Sequence, residues 1–382
     1  MLTVADENMP FASEAFGTLG RVRSLPGRGI APADLREADI LAVRSVTRVN
    51  GGLLSGSRVR FVGTATIGTD HVDTAWLERA GIGFSAAPGC NAVSVAEYVV
   101  AALLVLARRA EFTLEGRTLG VIGVGNVGSR VLARAEALGM RIIANDPPLA
   151  DMTGDPLYRP LEEALAADII TLHVPLTGQG RYPTSHLVDR DLLERVRPGT
   201  ILINTSRGPV ADTRAVKSAL GAGRLAAAVL DVWENEPEID LELLESTAIA
   251  TPHIAGYSYD GKVNGTTMIY RAACGHFGLD PDWDPAGLLP PPAEPVIRPS
   301  AAGSDPQSLL ADIVPAAYDI LADDRRLRLA AGLAAGERGG YFDRLRKQYP
   351  LRREFSAFTV EAGGSPPGLG HTLAGLGFRV KA

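Results

Sequence analysis

The chain has 382 residues, which is more than one hydrophobic core usually organises, so we expect two or three domains. Its formal net charge of −6 argues against a nucleic-acid-binding face, and apolar and charged fractions of 46% and 21% are typical of a soluble globular protein. The most apolar run, residues 95–107, carries Glu97 and is too short to cross a bilayer, so we expect no membrane span.

The first residues and the cysteines predict where the protein works. MLTVADENMP is acidic where a secretory signal would be basic. Cys90 and Cys274 lie far apart in the sequence, so we expect neither a disulfide framework nor a metal site. Both features predict a cytoplasmic protein.

Strand-like and helical patterns alternate along the chain. TVAD, RVRSL, ADILAVRS, VRFVGTAT and IGFSAA are strand-like and are separated by helical stretches such as HVDTAWLERAG. A helix over 94–109 follows, and a second series then runs from TLGVIGVG to AIATPH. Strands joined by helices, with few hairpin turns, predict two doubly wound units with parallel sheets.

The last third of the chain no longer alternates strand-like and helical patterns. A helical stretch over 263–278 precedes LLPPPAEPVIRP, where five prolines in twelve residues (288–299) predict a linker. The remainder contains one predicted helix over 306–322, a basic segment at 344–355 (RLRKQYPLRREF) and a strand-like SAFTV. We interpret the basic segment as a solvated or subunit-facing surface. A reach into the partner subunit's active site stays open for four of its residues: Arg346, Lys347, Arg352 and Arg353.

A glycine-rich turn opens the second α/β unit. GVGNVG follows the apolar strand TLGVI and begins a helical pattern, which is the context that a dinucleotide-binding turn requires. The glycines allow a tight turn, a close approach to a pyrophosphate and close helix–strand packing, while two amides face the phosphate at the helix start. These residues are Gly123, Gly125, Asn126, Val127 and Gly128.

The next strand ends at Asp146, 18 residues after Gly128, where a carboxylate binds the ribose hydroxyls of a dinucleotide. Pro147 and Pro148 follow, with no Arg or Lys nearby to offset the charge of a 2′-phosphate. The sequence therefore predicts NAD rather than NADP.

Three further strand ends carry Arg207, Glu236 and His253. Ligands gather at the carboxyl ends of parallel strands, so these side chains are expected to share one cleft. An arginine can hold a carboxylate, a histidine can take a hydroxyl proton, and a glutamate can orient the histidine. Each also has an ordinary structural explanation: a surface ion pair, a packed histidine or a solvated loop acid.

GVGNVG, Asp146, INTSRGPVAD, LDVWENEP and TPHIAG resemble the D-2-hydroxyacid dehydrogenase family. The resemblance implies that Arg207, Glu236 and His253 are catalytic, with His253 as the proton carrier. It also implies a Rossmann NAD-binding domain (95–255) inserted into a flavodoxin-like substrate domain (1–94 and 256–284).

The same resemblance implies further contacts. Six residues are expected to bind the cofactor in addition to the turn and Asp146: Val174, Thr205, Ser206, Arg207, Asp231 and Gly256. Val174 stands where the family often has Thr, so it can offer packing and its backbone only. Substrate contacts are expected from Ser45, Thr66 and Tyr257, and we add Arg44 and Lys262 as hypothetical phosphate ligands.

A closer resemblance within the family covers the whole chain and includes VGTATIGTDHVD, PHIAGYSYDGK and FDRLRKQYPLRREFS. It implies oxidation at C2 of a phosphorylated four-carbon 2-hydroxy acid, in pyridoxal 5′-phosphate synthesis. It also implies a linker over 285–299 and a small α+β domain over 300–382 that forms a homodimer.

Two alternatives stay open at the level of sequence. The first is 3-phosphoglycerate or another D-2-hydroxyacid as the substrate, which uses the same three residues. The second is a non-catalytic NAD(H)-sensing corepressor on the same fold, against which the lack of partner-binding tails argues. Activity with a panel of 2-hydroxy acids distinguishes them.

Overall fold

Short strands alternate with helices along the amino-terminal part of the chain. The computed structural model describes residues 1–299 and 305–381. Up to residue 92 the elements are β1 (Leu2–Asp6), α1 (Ala12–Gly17), β2 (Arg21–Leu25), α2 (Pro32–Leu35), β3 (Ile40–Val43), α3 (Gly51–Leu54), β4 (Phe61–Thr64), α4 (Thr74–Arg79) and β5 (Gly83–Ser85).

The middle of the chain repeats this alternation. It comprises α5 (Ala92–Arg109), β6 (Thr118–Ile122), α6 (Asn126–Ala137), β7 (Arg141–Asn145), α7 (Pro147–Thr153), α8 (Leu161–Leu165), β8 (Ile169–Leu172), α9 (Arg190–Arg195), β9 (Thr200–Asn204), α10 (Thr213–Gly221), β10 (Leu225–Leu230), α11 (Leu241–Ser246) and β11 (Ile249–Ala250).

The carboxyl-terminal part contains helices and three short strands. They are α12 (Tyr259–Phe277), β12 (Val296–Ile297), α13 (Pro306–Ala317), α14 (Ile320–Arg328), α15 (Ala335–Lys347), β13 (Thr359–Glu361), α16 (Leu369–Leu376) and β14 (Arg379–Lys381). In the described ranges, every helix falls short of the length and apolarity that crossing a membrane requires.

These elements form three sheets. The first has the order β2-β1-β3-β4-β5, the second β11-β10-β9-β8-β6-β7, and the third β12-β13-β14. All strand pairs are parallel. The predicted α/β architecture with two doubly wound sheets and a small carboxyl-terminal sheet is confirmed.

The central strands of both large sheets are buried because helices cover both faces, whereas the edge strand β2 is largely exposed. All residues of β3, β4, β8 and β9 are buried, which explains why their sequences are continuous apolar runs instead of alternating ones. Aspartate side chains fix the starts of many helices by accepting a backbone N–H of the first turn, as Asp146 does from Leu149 and Asp212 from Ala215.

The chain divides into two compact units. One comprises Met1–Ala92 and Tyr257–Pro290, and the other Val93–Gly256 and Pro291–Ala382. The carboxyl-terminal segment therefore clusters with the second sheet, and Phe342 and Leu327 lie in the same core cluster as Leu202 and Leu230.

Two details of the tail differ from the expectations. The single helix predicted over 306–322 is wrong, since α13 ends at Ala317, Tyr318 is extended, and Asp319 caps α14 by accepting from the amide of Ala322. Part of the predicted linker is a strand, because Val296 and Ile297 pair with β13 between two prolines. Residues 300–304, the start of the predicted carboxyl-terminal domain, lie outside the described residues.

Candidate active site

The glycine-rich turn joins β6 to α6, where the strand order of the second sheet reverses. Gly123 has a φ of 87°, and a Cβ there would lie 2.8 Å from the backbone of His173. A Cβ on Gly128 would collide with the carbonyl oxygen of Gly123, whereas Gly125 faces open space. Glycine is thus required for the turn at 123 and 128, and the backbone at 125 is open to a ligand.

Asp146 follows β7 and lies beside this turn. One carboxylate oxygen accepts the amide of Val124 at 2.8 Å, and the other accepts the amide of Leu149 at 3.0 Å. The side chain is half-buried, so its remaining lone pairs can accept hydroxyl groups. The turn, the start of α6 and this carboxylate match the pyrophosphate and ribose of NAD.

The end of β8 supplies the next part of the site. His173 contacts Thr171 through Nε2 at 2.9 Å and Thr205 through Nδ1 at 3.2 Å. Desolvation lowers the pKa of His173 to about 3, so the ring is neutral and orients the Thr205 hydroxyl. Val174 packs against the glycine turn, with its Cγ1 2.9 Å from the position of a Cβ built on Gly123.

Buried Asn204 shapes the loop that carries Arg207. Its side-chain oxygen accepts the amide and the hydroxyl of Ser206 at 3.0 and 2.7 Å, and its side-chain NH₂ donates to the carbonyl of Arg207 at 3.1 Å. The Arg207 guanidinium donates to the Ser206 carbonyl at 2.8 Å. The loop is therefore held by side chains of its own strand end.

The Arg207 loop is pressed against the segment that leads to Glu236. A Cβ on Gly208 would overlap the carbonyl group of Trp233 and approach the amide of Glu234 to 2.6 Å. Register places Asn204 beside Leu230, so the ends of β9 and β10 are neighbours. The loops that carry Arg207 and Glu236 thus meet backbone to backbone.

Glu236 and His253 form a hydrogen-bonded pair. Glu236 Oε2 lies 2.8 Å from His253 Nδ1, and Glu236 Oε1 accepts the amide of Trp233 at 2.9 Å. Although burial raises the pKa of Glu236, the His253 charge, this hydrogen bond, the Trp233 amide and Arg346 together lower it below its usual value. The pair is an ionised carboxylate that orients an imidazole, whose Nε2 is the atom that can exchange a proton.

The turn that carries His253 is built on the buried Asp231. Its carboxylate accepts the Thr251 hydroxyl at 2.6 Å and the amides of Ile254 and Ala255 at 2.7 and 2.9 Å, and its carbonyl accepts the amide of His253 at 2.6 Å. These bonds hold His253 at a left-handed φ of 57°. The described contacts assign Asp231 to this turn, and its predicted contact with the cofactor stays a prediction.

In the other unit, predicted substrate residues lie at the ends of adjacent strands. Val43 of β3 pairs with Thr64 of β4, so the segments after both strands reach the same sheet edge. Ser45 is exposed there, and the Thr66 hydroxyl contacts Thr64 at 2.8 Å and donates to the carbonyl of Gly68 at 3.0 Å.

Two cations lie at this edge. Arg44 Nη1 is buried and, within the described ranges, has no hydrogen-bond partner. Lys262, in the first turn of α12, lies 4.9 Å from the centre of the Tyr257 ring. Desolvation and the nearby charge of Arg44 lower the pKa of Lys262 to about 8. Two cations held this close are the environment that an oxyanion stabilises.

Comparisons with known proteins agree with this geometry. Residues 104–255 match the NAD-binding domain of the D-isomer specific 2-hydroxyacid dehydrogenases, and residues 288–377 match a domain of unknown function. The erythronate-4-phosphate dehydrogenase of Cellvibrio japonicus is 50% identical over 382 residues, which cover 99% of this chain and 100% of the relative. The enzyme of that name from Citrobacter koseri is 50% identical over 361 residues, 94% of each protein.

The chain belongs to the erythronate-4-phosphate dehydrogenase family. Solved structures agree with this placement: the TT0316 protein from Thermus thermophilus is 28% identical, with a TM-score of 0.65 over 74% of this chain and 99% of that one. D-lactate dehydrogenase from Aquifex aeolicus, complexed with NAD and lactic acid, is 26% identical, with a TM-score of 0.59 over 73% and 97% of the two chains. The protein is an NAD-dependent oxidoreductase, and the predicted cofactor is confirmed.

The structure adds positioning residues that the sequence did not reveal. His173 follows β8 in the run ITLHVPL, and its polar position at a strand end is a signal that could have drawn attention to it. The second is Asn204, the last residue of β9. The third is Arg352, interpreted as solvated or subunit-facing. That interpretation is wrong, because its side chain is 4% exposed and donates to the carbonyls of Ser94 and Ala255.

Proposed function

We propose that the protein oxidises 4-phospho-D-erythronate at C2 to (R)-3-hydroxy-2-oxo-4-phosphooxybutanoate, with NAD as the acceptor. This reaction is the second step of pyridoxal 5′-phosphate biosynthesis. One observation carries the proposal: the match to relatives named erythronate-4-phosphate dehydrogenase extends over nearly the whole chain, including the carboxyl-terminal segment. The Glu236–His253 pair supports it, because it supplies the base that an alcohol oxidation requires.

In the proposed mechanism, Arg207 holds the C1 carboxylate and polarises the C2 oxygen. His253 Nε2 takes the proton of the C2 hydroxyl, and the charge that forms on the ring is stabilised by Glu236 across the 2.8 Å hydrogen bond. NAD, when bound, accepts the hydride that leaves C2. In the reverse direction the same imidazolium returns its proton to the oxygen.

The proposed NAD-binding residues contribute different chemical groups: backbone amides, a carboxylate, hydroxyls and packing surfaces. We propose that the backbone from Gly123 to Gly128 binds the pyrophosphate and that Asp146 accepts the ribose hydroxyls. Thr205, oriented by His173, contributes a hydroxyl group. The remaining proposed contacts come from short or packing groups around the same strand ends: Val174, Ser206, Asp231 and Gly256.

We propose that the substrate phosphate binds to the charged edge of the other unit. Arg44 is the stronger candidate, because its buried Nη1 is a donor that lacks a protein partner among the described residues. Lys262 adds a second charge, and Ser45, Thr66 and Tyr257 add hydroxyl groups. Arg44→Met is expected to raise KM for the phosphorylated acid and to leave kcat nearly unchanged; an unchanged KM would count against the assignment.

The domain assignments and the assembly are also proposals. We infer an NAD-binding domain over 95–255 and a split substrate domain over 1–94 and 256–284, in a cytoplasmic enzyme. We further infer that the segment after the proline-rich stretch forms a homodimer. Light scattering coupled to gel filtration tests this, since a monomeric mass at micromolar concentration would contradict it.

The decisive assay offers the purified enzyme 4-phosphoerythronate and 3-phosphoglycerate in parallel, with NAD and with a 2-oxo acid as alternative acceptors. The 2-oxo acid can reoxidise NADH that stays bound to the enzyme, so it reveals turnover even without exchange of the cofactor. The nucleotide that is released when the purified protein is denatured measures the fraction of enzyme that carries bound cofactor. We expect strong preference for the four-carbon substrate. Equal or greater kcat/KM with 3-phosphoglycerate would reassign the substrate, and no turnover with any 2-hydroxy acid would favour a sensor.

A further inference from the structure

Helix α15 of the tail packs directly on the segment that follows Glu236. A Cβ on Gly339 would overlap the Glu238 carboxylate and lie 3.2 Å from the Pro237 ring. Gly339 is itself buried. The helix thus approaches the Pro237–Glu238 segment as closely as a residue without a side chain allows.

Apolar packing fixes the position of α15. Phe342 is 1% exposed and belongs to the core cluster that contains Trp233, and Leu345 packs against the same cluster. Phe342, Leu345 and Arg346 are spaced three and four residues apart, so they lie on neighbouring parts of one helix face. Arg346 is therefore carried by an anchored face of the helix.

The tail also contacts the segment that carries His253. Pro252 lines a cavity of about 300 Å³ whose other walls come from the tail, including Tyr341, Leu345 and Tyr349. The Arg352 guanidinium donates to the carbonyl of Ala255 at 3.1 Å, two residues after His253. Residues of one tail segment thus adjoin both segments that carry the Glu236–His253 pair.

Arg346 lies two helical turns after Gly339, on the same face of α15 that packs on the Pro237–Glu238 segment beside Glu236. After burial, the His253 charge and hydrogen bond and the Trp233 amide, the positive charge of Arg346 makes a smaller contribution to the pKa of the Glu236 carboxyl, which it lowers. The Arg346 Nε is buried and the Glu236 side chain is only 20% exposed, so solvent and salt screen this interaction less than one on the surface. Two further charged groups near the pair in the described residues are Asp231 beneath the His253 turn and Glu238 against α15.

We propose that Arg346 is a positioning residue of the catalytic pair: half-buried on the α15 face that packs beside Glu236, it adds its charge to the groups that favour the ionised carboxylate bonded to His253. The tail is then part of the catalytic apparatus of its own chain, in addition to any role in assembly. The inference rests on the proposed function, because it assigns Arg346 to the base of that reaction. It predicts that removing the charge makes the Glu236–His253 pair easier to protonate.

The test compares Arg346→Met and Arg346→Lys with Arg344→Met in the full-length enzyme. Arg344 is a matched control, since it lies on the same helix but is exposed, with its guanidinium over the Tyr341 ring. We measure kcat and KM for 4-phosphoerythronate oxidation between about pH 5 and 10, the range that spans the titration of His and Lys. Thermal unfolding and NAD binding of each variant verify folding.

For Arg346→Met we expect kcat near neutral pH to fall about tenfold, with KM changed less than twofold, and the acidic limb of kcat/KM to move up by about one pH unit. Arg346→Lys should restore most of kcat and most of the wild-type pH profile, and Arg344→Met should resemble the wild type in both. A folded Arg346→Met enzyme with the wild-type pH profile overturns the inference, as does a profile shift equal to that of Arg344→Met. A wild-type enzyme inactive on this substrate refutes the proposed function instead.

Discussion

Replacing Arg352 with Met tests how the tail is held to the NAD-binding region. The guanidinium donates to the carbonyls of Ser94 and Ala255 at 2.8 and 3.1 Å and lies 3.6 Å from the centre of the Tyr318 ring. It also lies 3.8 Å from the carboxylate of Glu97, which accepts the amide of Phe355. One side chain thus joins α5, the His253 turn and the tail.

These contacts set bounds on how much the substitution lowers the free energy of unfolding. Two hydrogen bonds from a charged donor contribute about 1.5–3 kcal/mol each, and a desolvated cation–π contact about 2 kcal/mol. The simple sum overestimates the loss, since the Ala255 carbonyl keeps the Ser94 hydroxyl as a donor at 2.8 Å. Glu97, whose pKa burial raises to about 8, can also take up a proton instead of remaining charged. We therefore expect a loss of about 3–5 kcal/mol, the range seen when one partner of a buried pair is removed.

Thermal unfolding measures this loss. At about 2–4 °C per kcal/mol for a unit of this size, the transition of the Arg352→Met variant should fall by roughly 10 °C. Arg353→Met, its half-exposed neighbour, should change stability by no more than about 0.5 kcal/mol. Adding Glu97→Gln to Arg352→Met removes the acid that loses its partner, and it should recover stability chiefly above about pH 8, where that acid would be ionised. Equal effects of the Arg352 and Arg353 variants would refute the reasoning.

Four further predictions concern the site and the core. His253→Asn should lower kcat by about 10²–10⁴-fold, and Glu236→Gln by less, with a changed pH–rate profile. Because Lys262 loses its charge as pH rises through about 8, KM for 4-phosphoerythronate should rise there in the wild type, and Lys262→Met should have a high KM without that dependence. Asp146→Ser should raise kcat/KM with NADP relative to NAD, and equal use of both by the wild type would contradict the role of Asp146. The pKa of Glu97 is raised from 4.5 to about 8 in the folded protein, so it weakens folding as pH rises between these values; Glu97→Gln should flatten that part of a stability–pH curve.

Local rules and the resemblance predicted much of the fold. Continuous apolar runs between helices predicted buried parallel strands, and the structure has them because both sheet faces are covered. The glycine turn was predicted from spacing, and the collisions that a Cβ would suffer at Gly123 and Gly128 supply its physical reason. Such features depend on residues close in sequence, which is why they can be read from it.

What the sequence did not reveal depends on distant residues. Arg352 has the composition of a solvated basic run, yet it is buried against residues some 100 and 260 positions earlier. Asp231 looked like a ligand at a strand end, and only the structure shows its carboxylate bonded within the His253 turn. The break between α13 and α14 at Tyr318 follows from the Asp319 cap, and the helical periodicity of the sequence continues through it.

The contact between Gly208 and Trp233 has a consequence for redesigning this enzyme. With backbone packed on backbone at that point, no side chain can be added at 208 without displacing the chain next to Glu236. Libraries meant to change substrate preference should therefore leave the 204–208 and 231–238 loops intact. They are better directed at the exposed Ser45, where new side chains have room and the proton-transfer residues stay in place.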